Sequence, residues 1–442
     1  MPDSTCDLTP MGESAIYSKV TWRILPILIV SYIIGYIDRV NVGFAKLQML
    51  GDLHFSETTY GLGAGIFFLA YVCCELPSNL ALSRIGARRW LALIMSVWGL
   101  ISAGMAFVHT PLSFYVMRCL LGMAEAGLFP GVILYLTYWY PSHRRGRIIA
   151  LFMTAQPAAG LLGGPLSGWI LQSLSGVKHL AGWQWLFLLE GLPAVGMSAV
   201  LFLWLDDGIR GASWLSEESK RTLERHIEDE SNQKQVHPSV ISLLRDGRVW
   251  LMGLITFSSV MGLYGVAFWL PTIIQGTAVR KPLEVGLLTM IPYGTSMIAM
   301  LLVSRNSDRL GERRWHLALS TIFGGCGLVL SVLSGNNSVL AMIGLTIGMA
   351  GIITSQPLFW TLPTKFLAGT AAAAGIAMIN AMGNLAGFVS PYLIGFIKDY
   401  TKSTALGIYV LAFALFVGSA LTLAIPSRLL NERRSGSLTR AG

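Results

Sequence analysis

The chain has 442 residues, of which 53% are hydrophobic and 12% charged, with a mean hydropathy of +0.60. Soluble domains carry about twice that charged fraction, and a soluble chain of this length would usually split into domains with polar surfaces. The composition excludes a soluble enzyme, a disordered protein and a coiled coil, and indicates a polytopic membrane protein. The formal net charge of +9 does not indicate a nucleic-acid partner. The basic residues sit in short gaps between apolar runs, which is how membrane topology is written.

The N-terminal MPDSTCDLTPMGES holds acids and no basic n-region, so no cleaved signal peptide is expected. A membrane-crossing helix needs about 20 apolar residues. Twelve stretches qualify: 24–45, 58–80, 90–108, 113–139, 148–173, 183–205, 248–274, 284–304, 316–334, 338–363, 369–397 and 405–427. Residues 1–23 then form a tail, 24–205 a six-helix bundle, 206–247 a polar central loop, 248–427 a second bundle and 428–442 a basic tail. Alternate gaps on one side, with the central loop and the C-tail, hold 24 of the Lys and Arg residues; the other side holds six (Lys46, Lys178, Arg280, Lys281, Lys398 and Lys402). This asymmetry places both termini and the central loop in the cytoplasm. The cysteines, Cys6, Cys73, Cys74, Cys119 and Cys326, have no zinc spacing and read as small apolar filler in packed helices.

SRIGARR at 83–89 and SDRLGERR at 307–314 form a repeat: Gly86 and Gly311 are 225 residues apart, and Pro165 and Pro391 are 226 apart. Two landmarks with nearly one offset, beside a loop at the midpoint, indicate duplicated halves. On these residues the chain resembles the major facilitator superfamily over nearly its whole length. The expected fold is therefore all-α, with 12 transmembrane helices in two six-helix pseudo-repeats. The family's cytoplasmic signature is matched in the second copy by Asp308, Arg309, Gly311, Arg313 and Arg314. The first copy keeps Arg84, Gly86 and Arg88 but has Ser83 and Ala87 where Asp and Arg are usual. These residues are assigned a gating or structural role on that face.

A charge at the bilayer centre costs about 2.5–3.5 kcal/mol on insertion scales, so charges inside spans should face a wet cavity or one another. Asp38 and Arg39 lie in YIIGYIDRVNVGFA, and Asp38 is about 22 Å along the helix from Arg23. Tyr32, Tyr36 and Arg39 share a face at spacings of four and three. Arg118 and Glu125 in helix 4 are seven apart and share a face within about 20°. Glu75, near the cytoplasmic end of helix 2, is expected to pair with arginines there. Glu190 reads as structural or gating, with a proton site as the alternative. No histidine lies mid-span, so titration is left to carboxylates. Polar residues in the spans, Tyr36, Tyr71, Gln156, Trp360, Asn380 and Asn384, are candidate ligand contacts. An arginine in a cavity suits a carboxylate's two oxygens, and carboxylates beside it bind protons. Together they indicate proton-coupled uptake of an organic acid.

The motifs Tyr-x-Asp-Arg-x-Asn at 36–41, Arg-x6-Glu-Ala-Gly from Arg118, GWQWLFLLEGLP, FWTLPT and INAMGN resemble the anion:cation symporter family. That family includes bacterial permeases for tartrate, rhamnonate, galactonate, phthalate and 4-hydroxyphenylacetate. The resemblance implies proton sites at Asp38 and Glu125. It implies substrate-binding roles for Arg39, Arg118, Gln156, Trp360 and Asn380, with no metal, cofactor or catalytic residue. Two polar substrate contacts of the galactonate permease fall here on Pro357 and Phe359. The expected partners are a small carboxylate, protons and the lipid bilayer of a bacterial inner membrane, around a monomer. Two alternatives remain: an aromatic-acid:proton symporter, and a drug or metabolite antiporter. HExxH and GxSxG are absent from the sequence, which argues against a membrane enzyme, and a central loop of about 40 residues is short for the signalling domain of a sensor.

Overall fold

Helix starts are set by polar caps at the ends of apolar runs. Ser56 accepts from the Thr59 N–H, and Thr110 and Ser113 form a capping box followed by Pro111. Asp246 and Asn337 cap two later helices. The computed structural model describes residues 10–232, 246–277, 279–363 and 370–426. Lys365, Cys6 and the tail 428–442 lie outside the described residues.

The first half contains α1 (Pro10–Val40), α2 (Val42–Leu53), α3 (Glu57–Ile85), α4 (Ala87–Gly104), α5 (Pro111–Glu125), α6 (Leu128–Thr137), α7 (Ser142–Met153), α8 (Ala155–Ser173) and α9 (Gly182–Trp204). The central segment carries α10 (Glu217–Asn232), and the second half α11 (Gly247–Gln275), α12 (Pro282–Leu310), α13 (Arg314–Leu333), α14 (Ser338–Trp360), α15 (Thr370–Thr401) and α16 (Ala405–Ala424). Among the described residues, 11 segments are long and apolar enough to cross a membrane; the span expected at 369–397 falls on α15. The chain is membrane-spanning and all-helical.

Three expected spans are broken in the middle. The first runs from α1 through a turn at Asn41 into α2, the fourth from α5 into α6 and the fifth from α7 into α8. Pro130 and Pro157 remove N–H donors and crowd the carbonyls of Ala126 and Met153, which accounts for two of the breaks. All three lie beside the polar residues of interest: Asp38 and Arg39, Glu125, and Gln156. Irregular backbone at membrane depth is tolerated where protein covers it or a cavity borders it. Lys46, expected in the gap after the first span, is instead inside α2 and 4% exposed.

The face carrying the basic gaps is here the basic face, and its opposite the far face. The halves meet through α3 against α15, α8 against α12 and α2 against α11. These seams are tightest toward the far face. A Cβ on Gly61 would lie 2.4 Å from the Pro391 carbonyl oxygen, and one on Gly286 would lie 2.2 Å from that of Gly164. Around them Glu57 pairs with Lys46 at 2.7 Å and with Lys398 at 2.6 Å. The Lys46 ammonium sits 3.3 Å from the Trp269 ring centroid. Asp399 of the second half accepts from the Thr58 N–H (2.7 Å), the Thr58 hydroxyl (2.5 Å) and the Glu57 N–H (3.2 Å), so it caps the N-terminus of α3 in the first half. The far face is closed.

On the basic face the signature residues bond within their own halves. Arg313 pairs with Asp308 at 2.5 Å and donates to Ser307 at 3.2 Å, and Gly311 takes φ +64° to end α12. In the first copy Asp207 accepts from the Arg88 N–H at 2.9 Å, and Gly86, at φ +96°, leaves room for that carboxylate. Asp207, after α9, thus brings a carboxylate to a turn whose own motif position is Ser83, but it binds the Arg88 backbone and not its guanidinium. Arg84 and Arg309 are exposed, and no described ion pair ties them to the opposite half. The central segment is more than a loop: Tyr17 bonds His226 at 3.1 Å and Lys19 donates to the Trp214 carbonyl at 2.7 Å, docking it on α1. Cys73 and Cys326 are exposed on the helix surface rather than packed.

Candidate functional site

Two expected residues, Arg39 in the last turn of α1 and Glu125 at the end of α5, come together. Arg39 donates to Glu125 Oε2 from Nε at 2.8 Å and from Nη2 at 2.6 Å. Its Nη1 donates to the Tyr264 hydroxyl of the second half at 3.2 Å, and the rings of Phe67 and Tyr71 flank it at 5.3 Å. The two side chains are 6% and 0% exposed. Glu125 Oε1 has no donor among the described residues. Arg39 therefore joins the halves and holds a carboxylate at once.

Arg118 shares a face of α5 with Glu125, as its spacing requires, but does not pair with it. It is fully buried, donates from Nε to the Gly63 carbonyl at 3.3 Å and lies 4.9 Å from the Phe67 ring. Its two terminal nitrogens have no partner among the described residues. Asp38 is fully buried and accepts from Asn41 Nδ2 at 3.1 Å and from the Ser102 hydroxyl. No ion pair reaches it among the described residues.

A cavity of about 70 Å³ lies between the halves, on the basic-face side of Arg39. Arg39, Tyr71, Gln156, Trp360, Asn380 and Asn384 line it, with Tyr32, Phe129, Thr256, Tyr264 and Gln356. Of the expected contacts, Tyr36 stands behind the wall and accepts from Gln156 at 3.2 Å. Asp38, Glu125 and Arg118 do not line the cavity. The expected pairing of Glu75 with arginines is corrected: its carboxylate accepts from Asn380 Nδ2 at 2.6 Å, across the halves. Phe359 is buried in a second apolar cluster, whereas Gln356 reaches the cavity and donates to Ser259 at 2.9 Å. Tyr264 and Gln356 were missed from the sequence. Each is a polar group in an apolar run, and that signal is available in MGLYGVAFW and TSQPLFW.

The model of the Major Facilitator Superfamily matches residues 28–391. The chain belongs to this superfamily. It is a transporter and not an enzyme. A putative tartrate transporter of Agrobacterium vitis is 45% identical over 93% of this transporter and 91% of its own length. A quinolone resistance transporter of Acinetobacter baumannii is 41% identical over 95% and 97%. Among solved structures, the inward open xylose transporter XylE of E. coli aligns with TM-score 0.74 at 14% identity, covering 95% of this transporter and 98% of that chain; this likeness shows the fold.

Proposed function

We propose that this transporter carries out proton-coupled uptake of a small organic acid anion, such as tartrate or a sugar acid, with its basic face in the cytoplasm of a bacterial inner membrane. One observation carries the reading: the cationic group that lines the cavity, Arg39, is held by a buried carboxylate, Glu125, that can take a proton. Protonating Glu125 removes the anion from Arg39 and frees the guanidinium to grip a substrate carboxylate. Losing that proton returns Arg39 to Glu125 and expels the anion. Asp38 is the second proton site and Arg118 supplies a further fixed positive charge. Gln156, Gln356, Asn380, Asn384 and Thr256 offer hydrogen bonds to hydroxyls, and the relative named for tartrate supports the substrate class. If two protons accompany one monoanion, the membrane potential adds about 2.3 kcal/mol per 100 mV.

A second reading, proton-driven antiport of an aromatic compound, is favoured by the relative named for quinolone resistance and by the rings of Tyr32, Tyr71, Phe129, Tyr264 and Trp360 around the cavity. Proteoliposomes supplied from outside with a panel of sugar acids, tartrate and aromatic carboxylates, or preloaded with an aromatic compound, separate the two. Uptake of an acid driven by an inward proton gradient and abolished by an uncoupler is expected. Gradient-driven expulsion of an aromatic compound, with no acid accumulating, establishes the second reading instead.

A further inference from the structure

Asn380 on α15 and Gln356 on α14 line the cavity from the second half. A side-chain amide offers a ligand either its NH2 donor or its carbonyl acceptor, and the group behind it decides which. Behind Asn380 stands Glu75, half-buried on α3 one turn from Tyr71. Asn380 Nδ2 donates to Glu75 Oε1 at 2.6 Å. A carboxylate has no hydrogen to give, and an acid with its proton on Oε2 still accepts at Oε1. The NH2 of Asn380 is therefore held at Glu75, which leaves Oδ1 for the cavity.

Gln356 is backed by two buried serines, Ser259 on α11 and Ser355 on α14. Ser355 Oγ donates to the Ile352 carbonyl at 2.7 Å. A carbonyl only accepts, so the single hydroxyl hydrogen of Ser355 is spent there. Ser259 Oγ lies 2.6 Å from Ser355 Oγ, so Ser259 is the donor of that pair. With its own hydrogen given away, Ser259 can only accept from Gln356, whose Nε2 lies 2.9 Å away. This one-way chain ends on the α14 backbone and leaves Gln356 Oε1 for the cavity. Among the described residues no donor reaches Asn380 Oδ1 or Gln356 Oε1. The first half thus supplies the cavity with a cation, Arg39, and the second half supplies two fixed acceptors. A substrate carboxylate suits the guanidinium, whereas the two carbonyl oxygens call for hydrogen donors.

We propose that Glu75 and Ser259 are positioning residues that fix Asn380 and Gln356 as acceptors, so that the cavity selects acids bearing hydroxyl donors, such as tartrate or a sugar acid, over acids of similar size without them. This selection rests on the organic-acid reading above and says how the site tells one acid from another.

The test titrates the full chain in nanodiscs calorimetrically, without a proton gradient, with two matched pairs: tartrate against difluorosuccinate, and gluconate against hexanoate. Fluorine is close to hydroxyl in size but gives no hydrogen. The hydroxylated member of a pair is expected to bind about tenfold tighter or more. In Glu75→Gln the new amide donates to Asn380 Oδ1 as readily as it accepts from Nδ2, and Ser259→Ala leaves Gln356 without its acceptor. Each variant should narrow the ratio within a pair by about threefold or more, whereas a merely structural defect weakens both members together. The two variants act on different amides, so misfolding of one leaves the other to decide. A ratio unmoved in both overturns the proposal, and a ratio narrowed by one alone overturns the role of the other residue. Wild type that binds difluorosuccinate or hexanoate as tightly as the hydroxylated partner overturns the proposal with no variant needed. Wild type that binds only acids without hydroxyls refutes this selection alone, whereas wild type that binds no acid refutes the proposed function.

Discussion

Asp399→Asn should weaken closure of the far face. Asp399 is the second half's carboxylate on the first half's α3, accepting three hydrogen bonds at 2.5–3.2 Å from Glu57 and Thr58. Hydrogen bonds to a charged group contribute about 1.5–3 kcal/mol, and a charge at a helix N-terminus adds about 0.3–1 kcal/mol. Asn keeps one acceptor oxygen, and the site is partly exposed, so solvent screening lowers these values. A net loss of about 1–2 kcal/mol shifts the balance of far-closed to far-open forms about 5- to 30-fold. Spin labels at Gly51→Cys on α2 and Tyr400→Cys on α15, in a background freed of native cysteines, report the separation across the seam. A Cβ at Gly51 meets nothing within 4 Å, and Tyr400 is 86% exposed, so the labels perturb little. A larger long-distance population in D399N is expected. An unchanged distribution would show that Asp399 is not part of the closure.

Two further outcomes follow from the same seams and caps. Gly61→Ala places a methyl 2.4 Å from the Pro391 carbonyl oxygen; forcing backbones apart costs about 1–3 kcal/mol, so the same labels should separate in G61A, and an unmoved distance refutes a tight α3–α15 seam. Glu312 caps α13, accepting from the N–H groups of Trp315 at 2.7 Å and His316 at 3.2 Å. Burial alone would raise its carboxyl, but these donors and the His316 ring hold it below the usual range. A lowered folded value means the cap stabilises fully above the ordinary Glu range and is lost as pH falls through the folded value. Hydrogen exchange at Trp315 and His316 should therefore quicken, beyond its intrinsic pH dependence, as pH falls through that window. Equal protection across it would contradict the cap.

Much of the fold is legible in the chain because a bilayer forces about 20 apolar residues per crossing and basic residues mark one side. Asp38, Arg39 and Glu125 stand out because charge is costly there. Their partners do not. Arg39 meets Glu125 across 86 residues and Tyr264 across 225, and Glu75 meets Asn380 across 305. Helical spacing links residues three, four or seven apart, and nothing in it reports which helix stands opposite. Arg118 shows the limit: its spacing from Glu125 fixes a shared face, yet Glu125 is taken by Arg39 and Arg118 turns to Gly63 and Phe67. The far-face cluster is equally hidden. Lys46 and Lys398 read as loop charges until Glu57 is seen between them.

In the proposed cycle a proton on Glu125 releases Arg39 to the substrate anion. Removing one partner of a buried pair costs about 3–5 kcal/mol, so counterflow serves as the check that a variant still folds and binds. Wild type and Glu125→Gln should be compared in proteoliposomes for tartrate or another accepted acid, by gradient-driven accumulation and by counterflow. Wild type should accumulate the acid and lose it on adding an uncoupler, while E125Q exchanges it across the membrane without accumulating it. Accumulation by E125Q at the wild-type level would contradict the claim.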